Sequence, residues 1–145
     1  MSLEKIVKQW QEDSKIDSTQ LDQALVNLPL LHGKYLHLLT EARVKLKLNR
    51  LERGKVYHIA AQYCRGELNN KEDLTETGRQ PNLHKVHVKA DWREYANADP
   101  EVIKFDQRIV IHEETVDVLT EIMKQINQMS FTIRSLIDWF KLSGS

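Results

Sequence analysis

From Val102 to Phe140 the chain repeats apolar positions at steps of three and four without a slip. The series runs Val102, Phe105, Ile109, His112, Val116, Leu119, Met123, Ile126, Ser130, Ile133, Ile137 and Phe140, and ten of these twelve are apolar. That period is the seam of a coiled-coil type helix, and a strand cannot present it on one face. The start of the helix is written just upstream in "ADPEV": Asp99 suits the N-cap, Pro100 the first helical position, and Glu101 the positive end of the helix dipole. A helix from 99 to 142 would run about 60 Å at roughly 1.5 Å per residue, twice the roughly 30 Å expected across a domain of this size. A second apolar set (Val110, Ile111, Val118, Ile122, Met129, Phe131, Leu136, Trp139) lies beside or opposite the seam. One face can pack on the chain's own helices. The other asks for a partner, so the seam residues Val102, Phe105, Ile109, Val116, Leu119, Met123, Ile126, Ile133, Ile137 and Phe140 are expected to carry oligomerisation.

Helical spacing continues upstream. Leu3, Ile6, Val7 and Trp10 give a short amphipathic opening, and "KIDSTQL" reads as a second start, with Asp17 as N-cap and Gln20 three residues on. Leu21, Leu25, Leu28, Tyr35, Leu39 and Ala42 extend the stripe, with Pro29 expected to kink or split it. "VKLKL" alternates like a strand, but the flanking helical period outweighs it even across Gly54. Residues 66–82, "GELNNKEDLTETGRQPN", are polar and aperiodic and read as a mobile loop. In "LHKVHVKADWREYANA", a short edge strand through Val86 and Val88 and a short helix both remain open. The expected organisation is therefore one all-α domain over residues 1–145: helices in 1–65, a polar loop or insert in 66–98, and the oligomerisation helix in 99–142.

Charge is placed unevenly. The chain has 21 basic and 21 acidic residues, yet between Arg43 and Arg65 seven Lys or Arg face a single acid, Glu52. At about 100° per residue, Arg43, Lys47, Arg50, His58 and Arg65 fall in one stripe, with Gly54 in the gap and Val44, Leu48, Leu51 and Ile59 to one side, where they can face the core. A row of cations suits a row of phosphates, because each contact releases a condensed counterion. Arg53, Lys55, Tyr57 and Tyr63 complete the candidate DNA-binding set, the two rings offering faces to unpaired bases. The competing reading is a solvated face paired against the acidic helix, whose residues 99–121 hold seven acids against Lys104 and Arg108.

Other chemistry finds little support. No run of 18 apolar residues exists, and the first residues lack the apolar core of a secretion signal. Cys64 is alone, which suits a reducing compartment and reads as a small buried thiol. "RGKVY" lacks the upstream glycine of a phosphate loop. "HEETV" begins like a zinc-binding helix but has Val116 where the second His must stand. His84 and His87 are three apart with no further ligand at metal spacing, so no metal or cofactor is expected.

Three stretches carry a family resemblance: "LEKIVKQWQEDSKIDSTQLDQALVN", "LHGKYLHLL" and "DPEVIKFD". In order and length they resemble the recombination mediator (UvsY) family of T4-like phages, with "IDSTQL" in register with that family's Ile-Asp-Ser-Thr-Lys-Leu and an insertion within residues 70–98. The resemblance implies a helical, non-catalytic subunit assembling through its C-terminal helix into a ring of roughly six or seven copies. It further implies binding of single-stranded DNA, and loading of a RecA-like recombinase onto strands covered by single-strand-binding protein. The setting would be recombination, repair and replication in the cytoplasm of the infected bacterial host, without a membrane. One motif departs. The family's basic Leu-Lys-Ala-Arg aligns with Tyr57-His58-Ile59-Ala60, so both fixed cations are absent here. Their neighbours are expected to have taken the role, and an Arg at position 60 is expected to restore a cation to the face. The rival reading is a structural coiled-coil or adaptor protein that meets no nucleic acid.

Overall fold

A computed structural model describes residues 1–68, 71–79 and 91–144, and every regular element among them is helical. In chain order these are α1 (Leu3–Asp13), α2 (Leu21–Cys64), α3 (Lys71–Thr77), α4 (Asp91–Asn97) and α5 (Pro100–Ser143). The all-α expectation holds. The chain forms two compact units: Met1–Val44 with Ile111–Ser145, and Lys45–Val110.

In the first unit, α1 starts where Ser2 caps it, its hydroxyl accepting from the Lys5 amide at 3.3 Å. Ile6, Leu21, Leu28, Tyr35, Leu39 and Ala42 from α1 and α2 close on Leu119, Ile122, Ile126 and Ile133 of α5. The Trp10 ring meets Tyr35 edge-on, with centroids 5.3 Å apart, while its indole nitrogen donates to Gln125 Oε1 at 2.9 Å. Tyr35 is fully buried, and its hydroxyl donates to Asp13 Oδ2 at 2.9 Å. The same oxygen takes Lys34 Nζ at 2.6 Å. Burial first, then the Asp13 carboxylate, push the Tyr35 phenol well above its ordinary range.

Two boundary expectations need correction in this unit. Asp17 does not cap α2. Its carboxylate accepts from the Thr19 amide at 2.9 Å and the Thr19 hydroxyl at 2.6 Å, closing a local turn. Those bonds hold the Asp17 carboxyl below its usual range, the hydroxyl contributing most. The helix opens at Leu21, with the Gln20 carbonyl accepting the Ala24 amide at 3.0 Å. Nor does Pro29 split α2, which runs through it as one helix. Leu28, Tyr35 and Leu39 keep one buried stripe across the proline, which itself lies on the exposed side. Core packing on both sides outweighs the one backbone donor that proline lacks.

The second unit is built from small residues. Ala60, Ala61 and Cys64 of α2 pack with Ala96 of α4 and Val102 of α5, with Val56, Tyr57, Tyr63 and Trp92 around them. Gly66 (φ 76°) ends α2 in the left-handed region, letting the Glu67 amide reach the Gln62 carbonyl at 2.9 Å. Residues 66–98, expected as loop or insert, hold both α3 and α4. Gly78 (φ 66°) repeats the same cap after α3, with the Arg79 amide reaching back to the Leu74 carbonyl at 2.9 Å. The alternatives at Val86 and Val88, and the His84–His87 pair, lie outside the described residues.

At the head of α5 the sequence reading holds. Asp99 caps it, its Oδ2 accepting from the Glu101 amide at 3.2 Å and its carbonyl from the Ile103 amide at 3.0 Å. Arg79 grips the same carboxylate at 2.6 and 3.0 Å. These side chains are only 13% and 10% exposed, and the charged partner raises the guanidinium's hold on its proton.

Candidate nucleic-acid interface

The part of α2 in the second unit, Lys45 to Cys64, turns one side to the small-residue core and the other to solvent. Lys45, Lys47, Arg50, Lys55 and His58 are exposed on it, and Arg43 is exposed one turn upstream on the same helix. Lys55 pairs with Glu52 at 3.1 Å, a surface contact between neighbouring turns. The cations of this part of the helix therefore do reach solvent, and so do Leu48 and Leu51, expected with Val44 to face the core. The unit's core lies instead on the Ala60, Ala61 and Cys64 side of the helix, and Val44 too is exposed.

The rest of the expected set does other work. Arg53 faces inward: its Nε donates to Asp106 Oδ1 at 2.6 Å, and its Nη2 to Asn97 Oδ1 at 3.3 Å. Its guanidinium also lies 5.4 Å from the centre of the Tyr57 ring. Tyr63 is half-buried and covered by Arg79 at 5.1 Å. Arg65 is exposed, but it pairs with Glu67 at 3.2 Å and lies over Trp92 at 4.8 Å. The pairing of the basic stretch with the acidic helix is thus real for Arg53. Lys55 of the exposed row instead pairs within its own helix, with Glu52.

Position 60 corrects the motif argument. Ala60 is fully buried in the core of the unit, while His58 is exposed. Residues two apart on a helix point about 200° apart, so 58 and 60 cannot both face a strand. An Arg at 60 would enter the core and add nothing to the face.

The α5 seam is mostly occupied within the chain. Leu119, Ile126 and Ile133 are core residues of the first unit, and Val116, Met123 and Ile137 pack against them. Val102 is core in the second unit, with Phe105 and Ile109 half-buried. Of the ten expected oligomerisation residues, Phe140 is the one that stays exposed. The other exposed apolar side chains of α5 come from off the seam: Ile103, Val110, Ile111, Phe131, Trp139 and Leu142. Sequence periodicity marks the buried face of a helix, whether its partner is the same chain or another, and here the same chain fills it.

Cys64 is buried, and burial, with Asp99 adding to it, pushes its thiol up. Among the described residues no group of His, Cys, Asp and Glu is arranged to hold a metal ion, and no helix is long and apolar enough to cross a membrane.

No curated protein sequence matches the chain. Solved structures do. The recombination mediator protein UvsY of bacteriophage T4 superposes in one crystal lattice with a TM-score of 0.84 at 19% identity, covering 100% of this chain and 99% of that one. In a second lattice the TM-score is 0.85 at 18% identity, covering 98% and 99%. A third gives 0.83 at 16%, covering 96% and 98%. At such identities the likeness speaks for the shared helical fold. The sequence itself matches the model of the family described as recombination, repair and ssDNA binding protein UvsY over residues 9–145. The chain belongs to the UvsY family.

Proposed function

We propose that this protein is a non-catalytic recombination mediator: it binds single-stranded DNA and helps load a RecA-like recombinase onto strands covered by single-strand-binding protein. The observation that carries the reading is the exposed cation row on α2 (Lys45, Lys47, Arg50, with Lys55 and His58 beyond and Arg43 upstream) in a member of a family described as strand-binding. Arg53, Tyr57 and Tyr63 build the unit behind that face, and Arg65 flanks it. The protein works as a ring-like homo-oligomer in the cytoplasm of the infected bacterial host. Repetition of the row around the ring adds weak contacts through effective concentration. Assembly uses the exposed side of α5, where Phe131, Trp139, Phe140 and Leu142 remain uncovered in the subunit.

Neutralising about four phosphates per subunit makes log K fall with log[salt] at a slope of roughly 3 for single strands. Lys47→Glu with Arg50→Glu weakens binding of a labelled single strand and flattens that slope without changing native mass. Arg108→Glu serves as control, since Arg108 lies over Phe105 on α5 and has no strand role. Indistinguishable salt series for wild type and the double variant would favour the adaptor reading instead.

A further inference from the structure

The rings that a sequence reader would offer to unpaired bases are already taken, Tyr57 by Arg53 and Tyr63 by Arg79. What stands in the open beside the cations is aliphatic. Leu48 is 55% exposed and Leu51 64% exposed, each directly following a cation, Lys47 and Arg50. Leu48, Leu51 and Lys55 continue along one line of α2. Lys47, Leu51, Gly54 and His58 make the adjacent line at steps of four, three and four.

Gly54 adds an independent sign. A glycine in a helix interior is destabilising relative to alanine. Nothing lies within 4 Å of where its Cβ would be, and its backbone is ordinary helix, so neither packing nor φ within the subunit calls for it. The helix surface is bare there, between Lys47 and Arg50 on one side and His58 on the other.

Resting on the strand-binding reading above, we propose that Leu48 and Leu51 are the base-contacting residues. Phosphates lie on Lys47 and Arg50, unpaired bases lie on the two leucines, and the absent side chain at 54 lets the strand approach the helix closely. A duplex hides its base faces and gains only the phosphate contacts, so the preference for single strands resides in this aliphatic strip. A second protein copy fits the strip less well, because covering it would desolvate Lys47, Arg50 and Lys55 together.

Leu48→Gln with Leu51→Gln, both at exposed positions, tests this. Fluorescence anisotropy with a labelled oligothymidylate and a duplex of equal length, over a salt series, is read beside native mass. The expected result is about a tenfold loss of single-strand affinity, the scale set by covering roughly 60 Å² of apolar side chain. Duplex affinity, salt slope and mass stay as in wild type. Gly54→Ala raises the melting temperature while lowering single-strand affinity, a combination that a purely structural glycine would not give. An unchanged ratio of single-strand to duplex affinity overturns the inference, as does a change in mass, which would make the strip a subunit contact. Unchanged affinity in Gly54→Ala removes the close approach. If Lys47→Glu/Arg50→Glu abolishes binding while the leucine variant does not, only this inference fails. If neither variant matters, the strand-binding reading fails with it.

Discussion

Arg79 sets two guanidinium nitrogens against Asp99, at 2.6 and 3.0 Å, tying the residue after the α3 cap to the residue that opens α5. The carboxylate thereby serves twice, as helix cap and as ion-pair partner. Arg79→Ala strands a largely buried carboxylate. It should cost the protein about 3 kcal/mol, measured by urea denaturation. A loss within about 0.5 kcal/mol would show the pair to be incidental.

Ala60→Arg, which the aligned motif recommends, is expected to destabilise rather than to strengthen strand binding. The guanidinium would enter a core of alanines and Val102, costing more than about 3 kcal/mol through overpacking and an unpaired buried charge. A soluble variant with wild-type melting temperature and tighter strand binding would refute this placement.

Assembly and folding should separate on α5. Leu119→Asp and Ile126→Asp put carboxylates into the first unit's own core, each costing about 3 kcal/mol or more, and should abolish helical circular dichroism. Phe131→Asp with Trp139→Asp changes exposed positions and should lower native mass with the helical signal intact. Unaltered mass in the second pair would move the subunit contact elsewhere.

Tyr35 makes stability depend on pH in the alkaline range. Its phenol is raised by burial and by Asp13, so the folded state holds the proton more tightly than the unfolded chain does. The resulting stability is complete below the ordinary phenol value of about 10 and drains away as pH climbs beyond it. Urea midpoints at pH 8 and pH 11 should fall more for wild type than for Tyr35→Phe. That variant loses about 1 kcal/mol at neutral pH with the hydrogen bond.

The thiol of Cys64 reports on the second unit. Buried and raised, it should alkylate at least about a hundredfold more slowly in the native protein than in urea. Arg79→Ala should accelerate the native reaction by loosening the unit. Rapid labelling of the untouched wild type would contradict the burial.

Much of this was legible in the sequence for physical reasons that differ along the chain. The α5 start was readable because Asp99, Pro100 and Glu101 are local signals, and the bond from the Glu101 amide to Asp99 is local too. The stripe through Leu28, Tyr35 and Leu39 was readable because a long helix repeats its message often enough to override Pro29. By contrast, α3 and α4 have seven residues each, too few for a period to establish itself. They are held by Leu74, Ala96 and the distant Arg79–Asp99 pair. Within the candidate site, exposure of the row around Lys47 followed from spacing alone. The inward turn of Arg53 did not, because Asp106 lies 53 positions away and no local pattern announces it.

The guanidinium groups laid over rings in the second unit limit how its sequence can drift. Arg53 over Tyr57, Arg79 over Tyr63 and Arg65 over Trp92 each set the guanidinium carbon near an aromatic ring and nitrogens against an oxygen. Lysine would keep the charge and lose the plane. Descendants of this chain can exchange Lys for Arg freely along the solvent row at 45 and 47, but at 53 and 79 selection must act on the shape of the cation and not on its sign.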